Sequence, residues 1–191
     1  MLAEYQLTLP PQSPDSADAE TKAVLDKALA QVGFIPNMYA RMANQPALLD
    51  TYLYGYGAFR RTCGFSAPEQ EVIFLAISRE NGCEYCMGAH SFMADKKSGV
   101  PLPVTDALRD GRSIPDVRLQ ALAQFTRTLV ATRGLPSRAA VEAFLGAGFE
   151  ERHILDLLLA IAVKTISNYA NHLFHTPLDA MFAERRWSEA G

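Results

Sequence analysis

Four side chains in one stretch can act together: Glu71, Cys83, Cys86 and His90, separated by eleven, two and three residues. Two cysteines three apart at a helix start can close into a disulfide with modest rearrangement, which gives a sulfenic acid on one sulfur a partner to condense with. A cysteine attacks a peroxide only as the thiolate, so it needs a lowered pKa and a base beside it. Cys83-Glu84-Tyr85-Cys86 falls in the first turn or so of a helix, where unpaired amides and the dipole favour negative charge. His90 follows Cys86 by four residues and shares its helix face. Glu71 lies on the preceding helix, and Asn81-Gly82 makes the connection short. At roughly 1.5 Å per residue, Glu71 is about 16 Å from the turn and His90 about 12 Å. An antiparallel hairpin then sets the carboxylate near the imidazole, within reach of a water, as a partner for proton transfer.

The same residues admit a second chemistry. Two cysteines and a histidine are three of the four ligands zinc takes, with His153, His172 or His175 as a fourth, though none stands at a recognisable ligand spacing. Taken alone, Glu71 reads as an exposed first-turn glutamate favouring the dipole, and His90 as a helix-face histidine bonded to a carbonyl. Cys63 has no partner in sequence and reads as a small buried hydrophobe. Asn168, Asn171, His172 and His175 recur at helical spacing. They read as packing and capping residues, with a place in the site or an oligomer contact as the alternative. Tyr52, Tyr54, Tyr56 and Phe59 read as core and interface. No Gly-rich strand-to-helix turn suggests a nucleotide, and Met87 after Cys86 excludes a haem-attachment CxxCH. The expectation is no bound metal, and no cofactor beyond a redox-active Cys83–Cys86 disulfide.

The elements that must position these residues are helices. Pro10, Pro11 and Pro14 among polar residues make the first fifteen positions an extended arm. From about Ser16 the pattern is helical: Val24, Leu25, Ala28 and Leu29 recur at helical spacing and Gly33 stops that helix. A short helix follows Pro36 and a longer one Pro46. Ser66-Ala67-Pro68-Glu69 is a capping-box start for a helix that ends at Asn81-Gly82. The helix beginning near Cys83 carries Glu84 in its first turn, Lys96 and Lys97 in its last, and Gly99 beyond. Further helices are predicted over Val104 to Arg109, Pro115 to Thr132, Ser137 to Gly146 and Glu150 to about Phe174. The segment Ile154 to Ile166 is apolar almost all round, as in a central helix or one buried against another subunit. There is no sustained period-two alternation, so the chain reads as one all-α domain over 16–191, with the CxxC core at about 46–133.

Composition narrows the partners. A net charge of −3 over 191 residues argues against nucleic-acid binding. The longest apolar tract, Ile154 to Val163, is too short for a bilayer, which takes roughly 20 residues. Three cysteines, two of them paired in sequence, suit a reducing compartment, and we read the protein as cytoplasmic.

The register of Glu71, Cys83, Cys86 and His90 resembles that of the AhpD-like alkylhydroperoxidases, within the carboxymuconolactone decarboxylase superfamily. The stretch from Gly33-Phe34-Ile35-Pro36-Asn37 through the cysteines is similar to the peroxidase-related branch. The resemblance implies an all-α fold, reduction of alkyl hydroperoxides, and a homo-oligomer, trimeric or hexameric. It further implies that Cys86 becomes the sulfenic acid, that Cys83 donates a proton and then resolves it, and that Glu71 and His90 relay protons. An external dithiol, lipoyl-bearing or thioredoxin-like, would restore the pair. Tyr85 departs from the pattern, because the best-studied members carry a second histidine there. A phenol is a poor base near neutral pH, so slow turnover, another substrate, or a role as dithiol–disulfide exchanger or redox sensor is the alternative. A zinc-stabilised interaction module is a further one, and lactone decarboxylation needs no CxxC. After a brief stoichiometric peroxide pulse, peptide mass spectrometry should find oxidation confined to Cys83 and Cys86 and linking them; oxidation centred on Cys63 contradicts this reading.

Overall fold

The computed structural model describes residues 2–15 and 18–188, and its described residues contain helices and no strand. Ser16, where the helical pattern was placed to begin, lies outside the described residues. Helix α1 (Ala19–Val32) starts at Asp18, whose carboxylate accepts from Thr21 N at 2.7 Å, and ends where Gly33 turns left-handed at φ 83. Then follow α2 (Asn37–Met42), α3 (Pro46–Thr62), α4 (Ala67–Glu80) and α5 (Glu84–Met93). The chain continues through α6 (Leu102–Asp110), α7 (Val117–Ala131), α8 (Arg138–Gly146) and α9 (Glu151–Phe174). The proline, capping and glycine signals therefore located these helices to within a few residues.

Two short elements depart from regular α-helix, the first of them inside the stretch that Lys96, Lys97 and Gly99 mark as the end of the α5 helix. The end of the α5 helix widens into a π-helical turn, Ala94–Ser98, closed by Gly99 in the left-handed region with its N–H on the Ala94 carbonyl. A 3-10 turn, Ala180–Arg185, lies near the end of the chain.

Helix α4 is the hub, with every residue from Gln70 to Ser78 buried. It packs on α5, α6, α7 and α9, while α9 also lies against α3. One apolar cluster gathers Phe59, Phe74, Phe125, Phe144 and Phe149. A second gathers Leu25, Met42, Leu49 and Tyr52 around Cys83 and Cys86. The cysteine pair thus lies in a core rather than on the surface. No helix among the described residues is long and apolar enough to cross a membrane.

Both ends of the chain are laid over this frame. The N-terminal arm is extended and pairs its Ala3 and Leu7 amides with the carbonyls of His172 and Leu173 at the end of α9. The C-terminal segment crosses α5 at Gly88, where a Cβ would lie 2.9 Å from Leu178 Cδ1, so the missing side chain permits the close approach. Trp187 Nε1 donates to Arg109 O at 2.9 Å and fixes the segment's far end.

Phe144 is fully buried and stacks on Phe125 and Phe149, away from the cysteines. Phe144→Ala should cost about 3–5 kcal/mol in urea unfolding while leaving thiol reactivity of the folded protein unchanged. A loss under 1 kcal/mol would show that this cluster contributes little.

Candidate active site

Cys83 is the N-cap of α5, with φ −85 and ψ 97, and its carbonyl accepts from Met87 N at 2.9 Å. Cys86 follows in the first turn. Both are buried free thiols. His90, one turn on, faces α4 and meets Glu71 directly: Nδ1 lies 2.9 Å from Glu71 Oε2. The sequence placed a water between these two groups. The helices instead cross closely enough for a direct bond, with Phe74 packed on the imidazole at 4.8 Å between centroids.

Glu71 is fully buried rather than an exposed first-turn glutamate, and its other oxygen accepts from Arg60 Nη2 of α3 and, at 3.3 Å, from Ser98 Oγ in the π-turn. Burial alone would raise its pKa. The His90 and Arg60 charges and their hydrogen bonds outweigh burial and lower it. A carboxylate is acceptor-only, so Nδ1 of His90 carries the proton and Nε2 keeps a free lone pair. Burial and the Lys164 charge lower the His90 pKa more than Glu71 raises it, so the ring is neutral at pH 7. With the ring neutral, Arg60 is the charge that keeps Glu71 ionised.

The two sulfurs are driven apart in acidity. Burial would push the Cys86 thiol up, but the hydrogen bond from Cys83 and then the Lys164 charge hold it well below its ordinary value. Cys83 moves the other way, pushed up by burial and then by its bond to the Cys86 anion. Of the two sulfurs Cys86 is thus the more acidic, with Cys83 donating its proton toward it.

Helix α9 supplies the other wall. Asn171 Nδ2 lies 3.4 Å from Cys86 Sγ and 3.1 Å from Met38 Sδ, and Ser167 Oγ lies 3.9 Å from Cys86 Sγ. Of the four late polar residues read as packing and capping, Asn171 is therefore at the sulfurs. Asn168 accepts from Asn81 at 2.8 Å, and His175 caps α9 in the left-handed region and meets Ala3 O. His172 borders Cys83 across a small polar cavity of about 110 Å³.

Cys86 opens the other way, into an apolar cavity of about 490 Å³ walled by Tyr39, Tyr52, Tyr56, Phe92 and Phe182, with His90 and Lys164 also on its lining. Tyr52 and Tyr56, read as core and interface, belong to the core and also line this cavity. Their spacing carried the helical period but no sign of a cavity. Tyr54 points outward. Tyr85 OH donates to Asp179 Oδ2 at 2.5 Å, and Asp179 Oδ1 accepts from Asn37 N at 3.0 Å, so this phenol fastens the C-terminal segment.

Cys63 is half-buried, accepting from Gln70 Nε2 at 3.3 Å, and burial pushes its thiol up. Among the described residues no three His, Cys, Asp or Glu side chains are grouped to hold a metal ion. His153 is occupied at the start of α9, where its Nδ1 accepts from Glu150 N.

No protein-family model and no curated protein sequence matches the chain. Solved structures do. An alkylhydroperoxidase AhpD core, an uncharacterized peroxidase-related protein from Ralstonia eutropha JMP134, superposes at TM-score 0.79 with 21% identity, covering 91% of this chain and 93% of that one. An uncharacterized peroxidase-related protein from Silicibacter sp. TM1040 superposes at 0.77 with 23% identity, covering 95% of each. The debrominase Bmp8 superposes at 0.75 with 16% identity, covering 94% of this chain and 96% of its own; a cysteine-to-alanine variant of it is in complex with 2,3,4-tribromopyrrole. The chain therefore has the AhpD-like all-α fold.

His90 and Glu71 both have folded pKa values below their ordinary ones, 6.5 and 4.5, so on acidification the unfolded chain takes up protons first. The stability each contributes is in place above its ordinary value and lost as pH falls through the folded one. Melting temperature should fall steadily from about pH 8 downward, first because the lowered Cys86 thiol leaves the folded chain short of a proton relative to the unfolded one, and below about 6.5 through His90 and Glu71 as well. A rise between pH 7 and 5, read by scanning calorimetry, contradicts the buried neutral imidazole.

Proposed function

We propose that this protein is a thiol-dependent peroxidase that reduces alkyl hydroperoxides through Cys86. One observation carries the reading: a buried cysteine, its thiol held below the ordinary value, lines an apolar cavity beside a second buried thiol pushed the other way. The Cys86 thiolate attacks the terminal oxygen of the hydroperoxide and the O–O bond breaks, giving Cys86 sulfenic acid and an alkoxide. The Cys83 proton goes to the alkoxide, which leaves as alcohol. The Cys83 thiolate so formed attacks the Cys86 sulfur, and the disulfide forms as hydroxide departs. Hydroxide takes a proton from His90, protonated at Nε2 from solvent, and leaves as water, while Glu71 balances the transient imidazolium through Nδ1. In sum, one thiol, one thiolate, one hydroperoxide and one proton become a disulfide, an alcohol and water.

Tyr85 takes no part in proton transfer, because its hydroxyl is committed to Asp179. The smaller cavity on the Cys83 side is where a dithiol, lipoyl-bearing or thioredoxin-like, would reach the disulfide. The enzyme works in the cytoplasm as a homo-oligomer, trimer or hexamer. The exposed Leu155, Leu158 and Tyr169 of α9 are apolar surface available for that assembly.

A second reading has the same thiolate reduce a halogenated aromatic ring. The tyrosine and phenylalanine walls of the cavity suit a planar guest, and the debrominase shares the fold.

Cumene hydroperoxide loss and brominated pyrrole loss are followed in parallel with excess dithiol. Wild type should consume peroxide, Cys86→Ser should lose at least a hundredfold in rate, and Cys83→Ser, assayed without dithiol, should consume one equivalent and form no intramolecular disulfide. Bromopyrrole loss without peroxide loss selects the second reading, and equal peroxide loss by Cys86→Ser ends the first.

A further inference from the structure

The core face of α9 carries charge and polar groups where an apolar stripe would be expected. Lys164, Ser167, Asn168 and Asn171 recur at intervals of three, one and three residues, and all four are buried. Lys164 is the extreme case: its exposure is 0%, and Nζ has no hydrogen-bond partner among the described residues. Nζ lies 5.6 Å from the centroid of the Phe74 ring. An unpaired ammonium in such a place is costly and persists only opposite an anion. Lys164 lines the same cavity as Cys86, one and two turns before the two residues whose polar atoms approach that sulfur.

We propose that Lys164 is the counter-ion of Cys86 in a buried pair that exists only in the reduced protein, with Asn171 as its neutral second donor. The proposal rests on the thiolate assignment used above and gives it a cause that does not depend on peroxide chemistry. The other titratable groups that face Cys86 do not supply this charge. Cys83, Tyr85 and His90 on α5 are neutral at pH 7, as are Tyr39 of α2 and Tyr52 and Tyr56 of α3, whose phenols burial pushes up. Arg60 of α3 is bonded to Glu71 of α4, and His172 of α9 is pushed down by burial. Lys97 of the π-turn also lines the cavity but is exposed to solvent, so among these described groups Lys164 is the buried uncommitted charge.

The pair has a redox consequence. Reduction of the Cys83–Cys86 disulfide by a dithiol gives a thiol at 83, a thiolate at 86, the oxidised donor and one released proton. Lys164 stabilises only the product side of that exchange. Its charge therefore makes the disulfide easier to reduce, as a stabilised thiolate does in strongly oxidising dithiol proteins. When the disulfide forms again, the ammonium loses its anion.

The test titrates the Cys86 thiolate by absorbance at 240 nm and by the pH dependence of iodoacetamide alkylation, in wild type, Lys164→Met, Lys164→Gln and Lys164→Arg. Met and Gln approximate the volume and remove the charge, so the fold should survive, as circular dichroism will report. Both neutral variants should raise the titration midpoint by at least one pH unit and slow alkylation at pH 7 at least tenfold, while Lys164→Arg stays within threefold of wild type. Against glutathione buffers the neutral variants should hold the disulfide at least tenfold more firmly, about 30 mV. A midpoint within 0.3 pH units of wild type in whichever neutral variant folds overturns the proposal. So does an equal shift in Lys164→Arg, which would assign the effect to packing. If the titration behaves as expected and no peroxide is consumed, the ion pair stands and the peroxidase reading falls.

Discussion

Burying a cysteine whose thiol is nonetheless held below its ordinary value is the constraint around which this site is organised. A buried thiolate is expensive, and each neighbour of Cys86 lowers that expense in a different way. The N-cap position of Cys83 points a thiol at it, α9 brings an amide and an ammonium, and α5 begins at it. The Arg60–Glu71–His90 series lies one layer further out. It orients the imidazole through Nδ1 and leaves one ring lone pair free, while burial and the Lys164 charge keep the ring neutral.

The hub position of α4 follows from that arrangement. Glu71 has to be dry to orient His90 strongly, and Arg60 has to reach it from α3 with its guanidinium against Tyr56 and Phe74. A helix buried from Gln70 to Ser78 meets both needs, because its whole circumference is covered by α5, α6, α7 and α9. The π-turn adds to it. By widening the end of α5 it places Ser98 on the same carboxylate, as such turns do near functional sites.

The local half of the site was legible in the sequence. Glu71, Cys83, Cys86 and His90 sit on two consecutive helices joined by Asn81-Gly82, so helical rise alone brings them together, and proline, capping and glycine signals mark most helix ends. What was missed comes from far along the chain. Lys164 closely follows the apolar tract Ile154 to Val163, so hydropathy read that helix as a core element and passed over the charge. Asn171 sits at a spacing shared by packing and capping residues, and nothing in its surroundings says that two sulfurs lie opposite. The aromatic wall comes from α2, α3 and the C-terminal segment, and Ala180–Arg185 has no periodicity to announce it.

Asp179 joins three separate parts of the chain at one carboxylate: the tyrosine inside the cysteine motif, the first amide of α2 and the segment that bears Phe182. Tyr85 stands between the two sulfurs in sequence, so the backbone adjustment that lets them bond has to pass through it. Should the two sulfurs bond, the tether from Tyr85 to Asp179 gives that covalent event a path to the wall that bears Phe182.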